Sequence, residues 1–341
     1  MRKLASLRRV SMITPIDGAD MIELAVLDGW QCVVKKGEFA VGDPAVYFEI
    51  DSFLPVEPRF EFLRKSSLRC MEGRAGFRLR SMRLRGQLSQ GLAMPLAGFP
   101  ELSEAEEGDD VTAALNVEKY EAPVPLSLAG KVRGMFPGRI PKTDEARIQN
   151  LPDWFEQHRL TEFEVSVKLD GSSMTSYWMD GEFGVCSRNL DLLESPSNTL
   201  WQLALRYRLA ERLCDLGREL ALQGEVIGEG IQKNNERIRG QDFYVFNIYD
   251  IARARYLAPA ERADVLAELN GFPGPTLQQV PILGSWQVFA RFPVMAELLA
   301  FADGPSLNPK RPREGIVLKG MAEESPISCK AISNAYLLRQ G

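Results

Sequence analysis

The chain has 341 residues, of which 45% are hydrophobic and 26% are charged, and its formal net charge is −5. This composition is typical of globular proteins and excludes a disordered chain, and the length is enough for two domains with separate cores. No run of about 18 apolar residues occurs, so no membrane-spanning helix is expected.

Cysteine and histidine are too few and too scattered for several kinds of site. The five cysteines form no C-x-x-C pair, which argues against structural zinc and is typical of a reducing cytoplasm. The N-terminus lacks the apolar core of a signal peptide, so a cytoplasmic location is expected. His158 is the only histidine and lies in a polar stretch, which disfavours histidine-dependent catalysis and histidine-rich metal sites.

Short strands and turns dominate residues 1–95. The apolar runs 23–27, 31–34 and 45–50 are separated by glycine-containing turns, which predicts a small β-barrel or sandwich. Residues 100–110 are acidic and polar and predict a loop near a domain boundary. Prolines 123, 125, 137 and 141 then predict a linker or an extended segment over 120–145.

A basic segment interrupts this acidic chain between residues 64 and 85. Its cations are Arg64, Lys65, Arg69, Arg74, Arg78, Arg80, Arg83 and Arg85, against the single acid Glu72. Local charge density steers phosphate binding more than the charge of the whole chain does, so this segment is a candidate nucleic-acid surface. A solvated basic strand face is the equally favoured alternative.

Strands and helices alternate from about residue 160, which predicts an α+β domain. The spacing predicts a long amphipathic helix over 198–222, a buried strand over 242–250, and helices over 259–269 and 293–302. The run 162–168 predicts a buried strand that ends in Lys168-Leu169-Asp170-Gly171. A lysine at a strand end with a carboxylate two residues on can act as a covalent nucleophile, although alone this tetrapeptide is more often a surface turn.

Further polar groups downstream of Lys168 also lie at the edges of apolar strands. They are Arg188 in Ser-Arg-Asn, Glu225 between glycines, Glu314 and Lys319 in Glu-Gly-Ile-Val-Leu-Lys, and Lys330. Cations that hold phosphates, carboxylates that hold Mg²⁺, and a lysine nucleophile together indicate phosphoryl or nucleotidyl transfer.

The order K-L-D-G, S-R-N, G-E-V-I-G-E-G-I-Q-K-N, F-Y-V-F-N-I-Y-D, E-G-I-V-L-K and a last lysine resembles motifs I, Ia, III, IIIa, IV and V. These motifs define the lysine-adenylate ligases and mRNA capping enzymes. Residues 1–95 resemble an oligonucleotide-binding (OB) barrel, and 142–150 are similar to a signature of the nick-sealing family-five RNA ligases. An N-terminal OB domain, with only eleven residues after Lys330, fits that family.

The resemblance implies an α+β chain with an OB-fold barrel and linker over 1–125 and a nucleotidyltransferase domain of antiparallel sheets and helices over 126–341. It implies an ATP-dependent RNA ligase that uses Mg²⁺ or Mn²⁺ and a covalent lysine-AMP. The expected substrate is a 3′-OH/5′-phosphate nick in double-stranded RNA or an RNA/DNA hybrid, with RNA at the 3′-OH end, and the expected state is a monomer.

The resemblance also implies roles for individual residues. Lys168 would be the nucleophile, Glu225 would contact ribose, and Phe246 would stack on adenine. Asp170 and Glu314, with Asp250 as a weaker third candidate, would hold the metal. Phosphate contacts are expected from Arg147, Arg188, Lys319 and Lys330, and nucleic-acid contacts from Lys233, Arg78, Arg80 and Arg83.

Two positions depart from related ligases. Ser328 stands where a second-family RNA ligase has the first lysine of K-x-K, and Asn247 stands where aspartate is usual. Two alternative functions stay open: a GTP-dependent capping-type nucleotidyltransferase, and a non-catalytic RNA-binding protein.

Overall fold

The computed structural model describes residues 3–121, 129–322 and 326–339. The chain forms two compact units: Met1–Pro123 with Ile148–Pro152 and Leu337–Gly341, and Val124–Arg147 with Asp153–Tyr336. The expected boundary between residues 125 and 126 lies outside the described residues. Within the described ranges, no helix is long and apolar enough to cross a membrane.

The first unit is built from short antiparallel strands. They pair in the orders β1-β5-β11, β2-β3-β4, β9-β10 and β12-β6-β8-β7. The strands are β1 (Ala5–Arg9), β2 (Met12–Pro15), β3 (Ile22–Leu27), β4 (Trp30–Lys35), β5 (Pro44–Phe48), β6 (Ser52–Leu54), β7 (Leu68–Met71), β8 (Arg74–Arg78), β9 (Met82–Leu84), β10 (Gln87–Ser89), β11 (Leu92–Pro95) and β12 (Glu118–Lys119), with α1 at Arg64–Ser67.

Strand β5 is buried on both faces because it separates two hydrophobic clusters. Val46 and Phe48 pack on one side with Phe60 and Phe77. Tyr47, which alternates with them, packs on the other side with the residues around β4. Two-sided burial accounts for the unbroken apolar run in this strand, because side chains alternate between the faces of a sheet.

The second unit contains two sheets with helices. The larger follows the order β13-β17-β16-β15-β18-β19-β20, with β21 also on β19, and the smaller is β22-β14-β23-β24. The strands are β13 (Val132–Met135), β14 (Phe163–Lys168), β15 (Ser172–Met179), β16 (Glu182–Cys186), β17 (Leu190–Leu192), β18 (Leu220–Gly228), β19 (Gln241–Asp250), β20 (Arg255–Tyr256), β21 (Gln278–Gln279), β22 (Ile282–Trp286), β23 (Gly315–Gly320) and β24 (Ser328–Ile332). The helices are α2 (Trp154–Gln157), α3 (Thr199–Arg206), α4 (Leu209–Leu216), α5 (Pro259–Gly271), α6 (Val288–Arg291) and α7 (Met295–Ala302), and α8 (Asn334–Arg339) follows β24.

Most predicted elements are confirmed, but two are wrong in part. The helix expected over 198–222 is broken at Arg208, whose φ is 53°, and it ends at Gly217, whose φ is 66°, before strand β18 begins. Left-handed residues interrupt the helical hydrogen-bond pattern, which periodicity alone does not show. In the segment 120–145, Val132–Met135 forms an edge strand instead of a linker, while 122–128 lie outside the described residues.

A β-bulge in β19 decides which residues face the site. Gln223 pairs with Asn247 but Gly224 pairs with Val245, so Phe246 is the extra residue. Phe243 and Val245 therefore face the helix-covered core before the bulge, and Ile248 faces it afterwards. The bulge shifts the alternation by one residue and lets Phe246 and Asn247 approach the same lysine, Lys319.

Candidate active site

Lys168 is the last residue of β14 and lies opposite Gly315 of β23. Glu314, which immediately precedes Gly315, therefore reaches the lysine, and Lys168 Nζ donates to its Oε2 at 2.7 Å. A Cβ at position 315 would lie 2.2 Å from the Ala331 carbonyl oxygen. Glycine is needed there because β23 and β24 approach so closely, and this approach fixes Glu314 beside the lysine.

The turn after Lys168 brings two more carboxylates to it. A Cβ at Gly171 would lie 2.2 Å from the Val226 carbonyl oxygen and 2.9 Å from Glu225 Cγ. The chain therefore passes directly over β18 at this glycine. Asp170 and Glu225, like Glu314, consequently act on the charge of Lys168.

These neighbours shift the pKa values of Lys168, Asp170 and Glu225. Burial raises the pKa of Glu225 to about 8, with Lys168 opposing the shift and Glu314 and Asp170 adding to it. Burial and Glu314 raise the pKa of Asp170 to about 6. Burial acts to lower the pKa of Lys168, but the attraction of Glu314, Glu225 and Asp170 outweighs it and raises that pKa. The lysine therefore holds its proton until a ligand changes the balance of charge.

Lys319 lies beside Phe246 rather than beside Lys168. Its Nζ donates to the Phe246 carbonyl oxygen and to Asn247 Oδ1, and lies 5.6 Å from the centroid of the Phe246 ring. Burial, with the nearby Arg262 charge, lowers the pKa of Lys319 to about 7. Lys319 is four residues along β23 from Gly315, or about 13 Å at the usual rise of a strand.

Two of the predicted phosphate-binding cations meet on one carboxylate. Lys330 Nζ donates to Asp144 Oδ1 and Arg188 Nη2 donates to Asp144 Oδ2, each at 3.1 Å. Lys142 Nζ also donates to Asn189 Oδ1 at 3.0 Å, next to Arg188. Asp144 thus bridges the two cations.

The segment that contains Asp144 runs along β24. Arg147 forms a parallel β-bridge with Lys330, and the Lys330 backbone N–H donates to the Ala146 carbonyl oxygen at 2.8 Å. Arg147 is 5% exposed, so it lies in the interior beside Lys330. Ser328, at the position that departs from K-x-K, donates through its hydroxyl to Glu145 Oε2.

The structure does not bring Asp250 together with Asp170 and Glu314, the other predicted metal ligands. Asp250 pairs with Leu220 at one end of β18, whereas Glu225 pairs with Tyr244 nearer the other end. The Asp250 carboxylate instead accepts from the Arg253 backbone N–H at 3.0 Å and closes a turn. Strand alternation did not reveal this separation because it says nothing about position along the strand.

Lys233 is exposed on the segment after Ile231. The neighbouring Gln232 donates through Nε2 to the Gly171 carbonyl oxygen at 3.2 Å. This contact puts the segment next to the turn that follows Lys168.

The carboxylates of the cluster suit a hydrated divalent cation. Asp170, Glu225 and Glu314 supply oxygen ligands of the kind that Mg²⁺ and Mn²⁺ prefer, and together they exceed the single positive charge of Lys168. Among the described residues, no three His, Cys, Asp or Glu side chains are arranged to hold a metal directly. A cation held partly through water fits this arrangement.

The predicted nucleic-acid contacts of the basic segment differ in their surroundings, and the 142–150 signature contributes residues to both units. Arg78 donates to Asp51 at 2.9 Å and its guanidinium stacks over Tyr120, whereas Arg80 is half-buried and Arg83 is exposed.

Asn150 belongs to the first unit, where its Oδ1 accepts from Trp30 Nε1 at 2.8 Å and from Arg8 Nη2 at 2.9 Å.

The motifs assign no role to Asp144, Glu145 or Asn247. Asp144 and Asn247 nevertheless contact predicted cations, and Glu145 accepts from Ser328. For Asp144 and Glu145 the sequence contains a clue, because both acids lie between the cations Lys142 and Arg147. Asn247 was noted only as a departure, and its contact with Lys319 depends on the bulge in β19.

Comparison with known protein families agrees with this geometry. The RNA ligase family model matches residues 161–332, and an OB-fold domain model matches residues 4–96. The chain therefore belongs to the RNA ligase family, whose catalytic domain is of the covalent nucleotidyltransferase type. The predicted α+β class, with an N-terminal OB fold followed by a ligase domain, is confirmed.

Several solved structures are similar over nearly the whole chain. An apo lysine-to-alanine variant of Naegleria gruberi RNA ligase has 49% identity and a TM-score of 0.93, over 99% of this chain and 98% of that one. Another lysine-to-alanine variant of that ligase, with ATP and Mn, has 50% identity and a TM-score of 0.93, over 98% of each chain. The same ligase with PPi has 49% identity and a TM-score of 0.91, over 99% and 98%. No curated protein sequence matches the chain.

Proposed function

We propose that this RNA ligase uses ATP to seal 3′-OH/5′-phosphate nicks in duplex nucleic acid whose 3′-OH end is RNA. The observation that carries the proposal is Lys168, held by Glu314 among three carboxylates at the end of β14. The solved Naegleria gruberi ligase structures with ATP, AMP, Mn or PPi support a nucleotide and a divalent metal as its partners.

In the first step, Lys168 Nζ attacks the α-phosphorus of ATP. A P–N bond forms, the bond to the β-phosphate oxygen breaks, and pyrophosphate leaves. Lysine attacks only when it is neutral, and in the free protein its carboxylate neighbours raise the pKa of Lys168. Glu314 accepts the hydrogen bond of the ammonium, so it is the group placed to orient Nζ and influence loss of its proton.

We assign Asp170 and Glu314 to a divalent cation held mainly through water. When bound, such a cation neutralises the carboxylates and the phosphate charge. We leave Asp250 out of this assignment because its carboxylate closes a turn at the other end of the strand pair.

The nucleotide would lie between the cluster around Lys168 and the bulge of β19. We assign Glu225 to the ribose hydroxyls and Phe246 to the adenine ring. Lys319 then belongs to the base and ribose end of the pocket, since it contacts Phe246 and Asn247. This assignment replaces the α-phosphate contact expected from its motif.

Lys330, Arg188 and Arg147 would hold phosphate groups. A phosphate that binds Lys330 and Arg188 replaces the two hydrogen bonds that Asp144 accepts from them. Asp144 therefore acts as an internal anion that keeps the two cations together until the ligand arrives. Lys233 would contact the polyphosphate or the nucleic acid near Gly171.

Sealing requires two further transfers. An oxygen of the nick 5′-phosphate attacks the α-phosphorus of the lysine adduct, and the P–N bond breaks to return Lys168. The 3′-OH then attacks the 5′-phosphate, a phosphodiester forms, and AMP leaves. We assign residues 1–125 to binding of the duplex beside the nick, with 126–341 as the catalytic domain, in a protein that works as a monomer.

Two experiments test the proposal. The protein is first incubated with labelled ATP or GTP and a divalent metal, and covalent labelling by ATP is expected. Labelling by GTP alone would favour a capping-type enzyme, and no labelling with either nucleotide would favour a non-catalytic RNA-binding protein.

The second experiment uses nicked duplexes in which each strand at the nick is RNA or DNA. Sealing is expected when the 3′-OH strand is RNA. Equal sealing of an all-DNA nick would contradict the proposed substrate. It would not affect the proposed adenylation of Lys168, which the labelling experiment tests separately.

A further inference from the structure

The first unit contains a cavity of about 450 Å³ that has no part in the transfer of AMP. It is lined by Arg80, Ser81, Met82, Arg83 and Leu338. The cavity lies at the base of the β9–β10 hairpin, at one side of the basic segment. It therefore combines two cations, one hydroxyl and two apolar side chains.

The hairpin holds Arg83 in a defined position. Arg85 and Gly86 form its two-residue turn with φ values of 49° and 83°, the left-handed conformation that tight hairpins require. Arg83 Nη1 donates to the Gly86 carbonyl oxygen at 2.9 Å. Its other guanidinium N–H groups can donate to a ligand.

The cations of the cavity are not neutralised by carboxylates. Among the described residues, neither Arg80 nor Arg83 forms an ion pair, whereas Arg74 pairs with Glu118 and Arg78 with Asp51. Burial and the nearby charges of Arg69 and Arg78 lower the pKa of Arg80, which indicates mutual repulsion between cations. An anion bound here would relieve that repulsion.

Ser81 supplies an independent sign of a ligand. It is 4% exposed, and its hydroxyl has no hydrogen-bond partner within the part of the chain that the structure describes. Buried hydroxyls without a partner are uncommon because their lost hydration is not replaced. An acceptor oxygen in the cavity would satisfy this hydroxyl.

We propose that this cavity binds one phosphodiester of the nucleic-acid backbone beside the nick. Arg80, Arg83 and the Ser81 hydroxyl donate to its non-bridging oxygens, and the adjoining sugar packs on Met82 and Leu338. The assignment rests on the proposed function. It limits the expected phosphate contact to Arg80 and Arg83, because Arg78 is already paired with Asp51.

The test compares Arg80→Gln and Arg83→Gln with Arg74→Gln, which removes the same charge from the same basic segment but from an existing ion pair. Affinity for a nicked RNA duplex is measured by fluorescence anisotropy over a range of salt. Each cavity variant should raise Kd about tenfold, and its salt slope should fall by about 0.9 for the lost phosphate contact. The control should change neither quantity, and wild-type values in both cavity variants would overturn the proposal.

Ser81→Ala separates binding from folding. Its hydroxyl makes no hydrogen bond in the free protein, so the variant should unfold at the same temperature or higher, with Kd raised about fivefold. A lower Tm with unchanged Kd would show that Ser81 is structural and would overturn its part in the site.

Self-labelling with ATP distinguishes the source of the phosphate. A higher KM for ATP in Arg83→Gln would place a free polyphosphate in the cavity and overturn a backbone site. If the wild-type protein failed to label at all, the proposed ligase chemistry would be refuted. The comparison of duplex affinities would still show whether the cavity binds a phosphate of the nucleic-acid backbone.

Discussion

Both units present cations suited to phosphate, but in opposite electrostatic settings. In the second unit three of the predicted site cations face a carboxylate: Lys168 faces Glu314, and Lys330 and Arg188 face Asp144. In the first unit, Arg80 and Arg83 have no ion-pair partner among the described residues.

Burial accounts for this difference at Lys168 and Lys330, whose side chains are 24% and 11% exposed, in contrast to the exposed Arg83. A charge that is removed from water needs a partner to offset its lost hydration, so Lys168 and Lys330 are paired in advance. Exposed arginines keep their hydration and can be left without carboxylates until a polyanion arrives.

The largest effect is expected at Lys168, where a substitution should abolish the chemistry of the second unit without weakening the binding of nucleic acid. Lys168→Ala should reduce self-labelling with ATP by about 10³-fold or more, because no other group can form the P–N bond. Duplex affinity should change little. Lys310→Ala, which removes an exposed lysine of the same unit, is the matched control, and labelling that survives in Lys168→Ala would refute the mechanism.

Glu225→Gln should lower self-labelling by about 10²-fold if the carboxylate holds the ribose. The same change should stabilise the free protein. Because the pKa of Glu225 is raised to about 8 in the folded state, the native protein binds more protons than the unfolded chain, and stability falls as pH rises between the two values.

The stability gain in Glu225→Gln should therefore be several kcal/mol near pH 9, at about 1.4 kcal/mol for each unit by which the pKa is raised, and close to zero near pH 4. Urea unfolding at both pH values measures it, with Glu229→Gln, at an exposed position just beyond β18, as control. A gain that is larger at the lower pH would contradict the assigned protonation.

Asn150→Ala should affect folding rather than chemistry. The change removes the acceptor for Trp30 and Arg8 and the donor to Glu49, in the interior of the first unit. The expected loss is about 2 kcal/mol in the free energy of unfolding, measured by denaturant titration. A large fall in self-labelling at a temperature where the variant is folded would assign Asn150 to catalysis instead.

The smallest effect is expected for Asp144→Asn. Without this carboxylate, Lys330 and Arg188 bind phosphate without first releasing an anion, so KM for ATP should fall about threefold to fivefold. Asp180→Asn, which removes a carboxylate from an exposed pair with Arg139, is the control. A higher KM would mean that Asp144 positions the cations rather than competing with the ligand.

The nucleophile candidate, the order of the motifs and most of the strands could be predicted from local sequence patterns. Glu225 and Glu314 could be found because each is next to a glycine, and Lys168 because it ends an apolar run three residues before Gly171. These are local patterns. Glycines 171 and 315 mark close backbone approaches, so their positions already implied that these side chains converge.

Only the tertiary structure decided how the remaining polar groups are distributed. The bulge in β19 sets Asn247 against Lys319, strand register keeps Asp250 apart from the other predicted metal ligands, and Asp144 joins Lys330 to Arg188. Ser81 is identified only by its burial without a partner. Alternation along a strand predicts which face a residue occupies, but register, bulges and long-range ion pairs depend on packing between segments far apart in sequence.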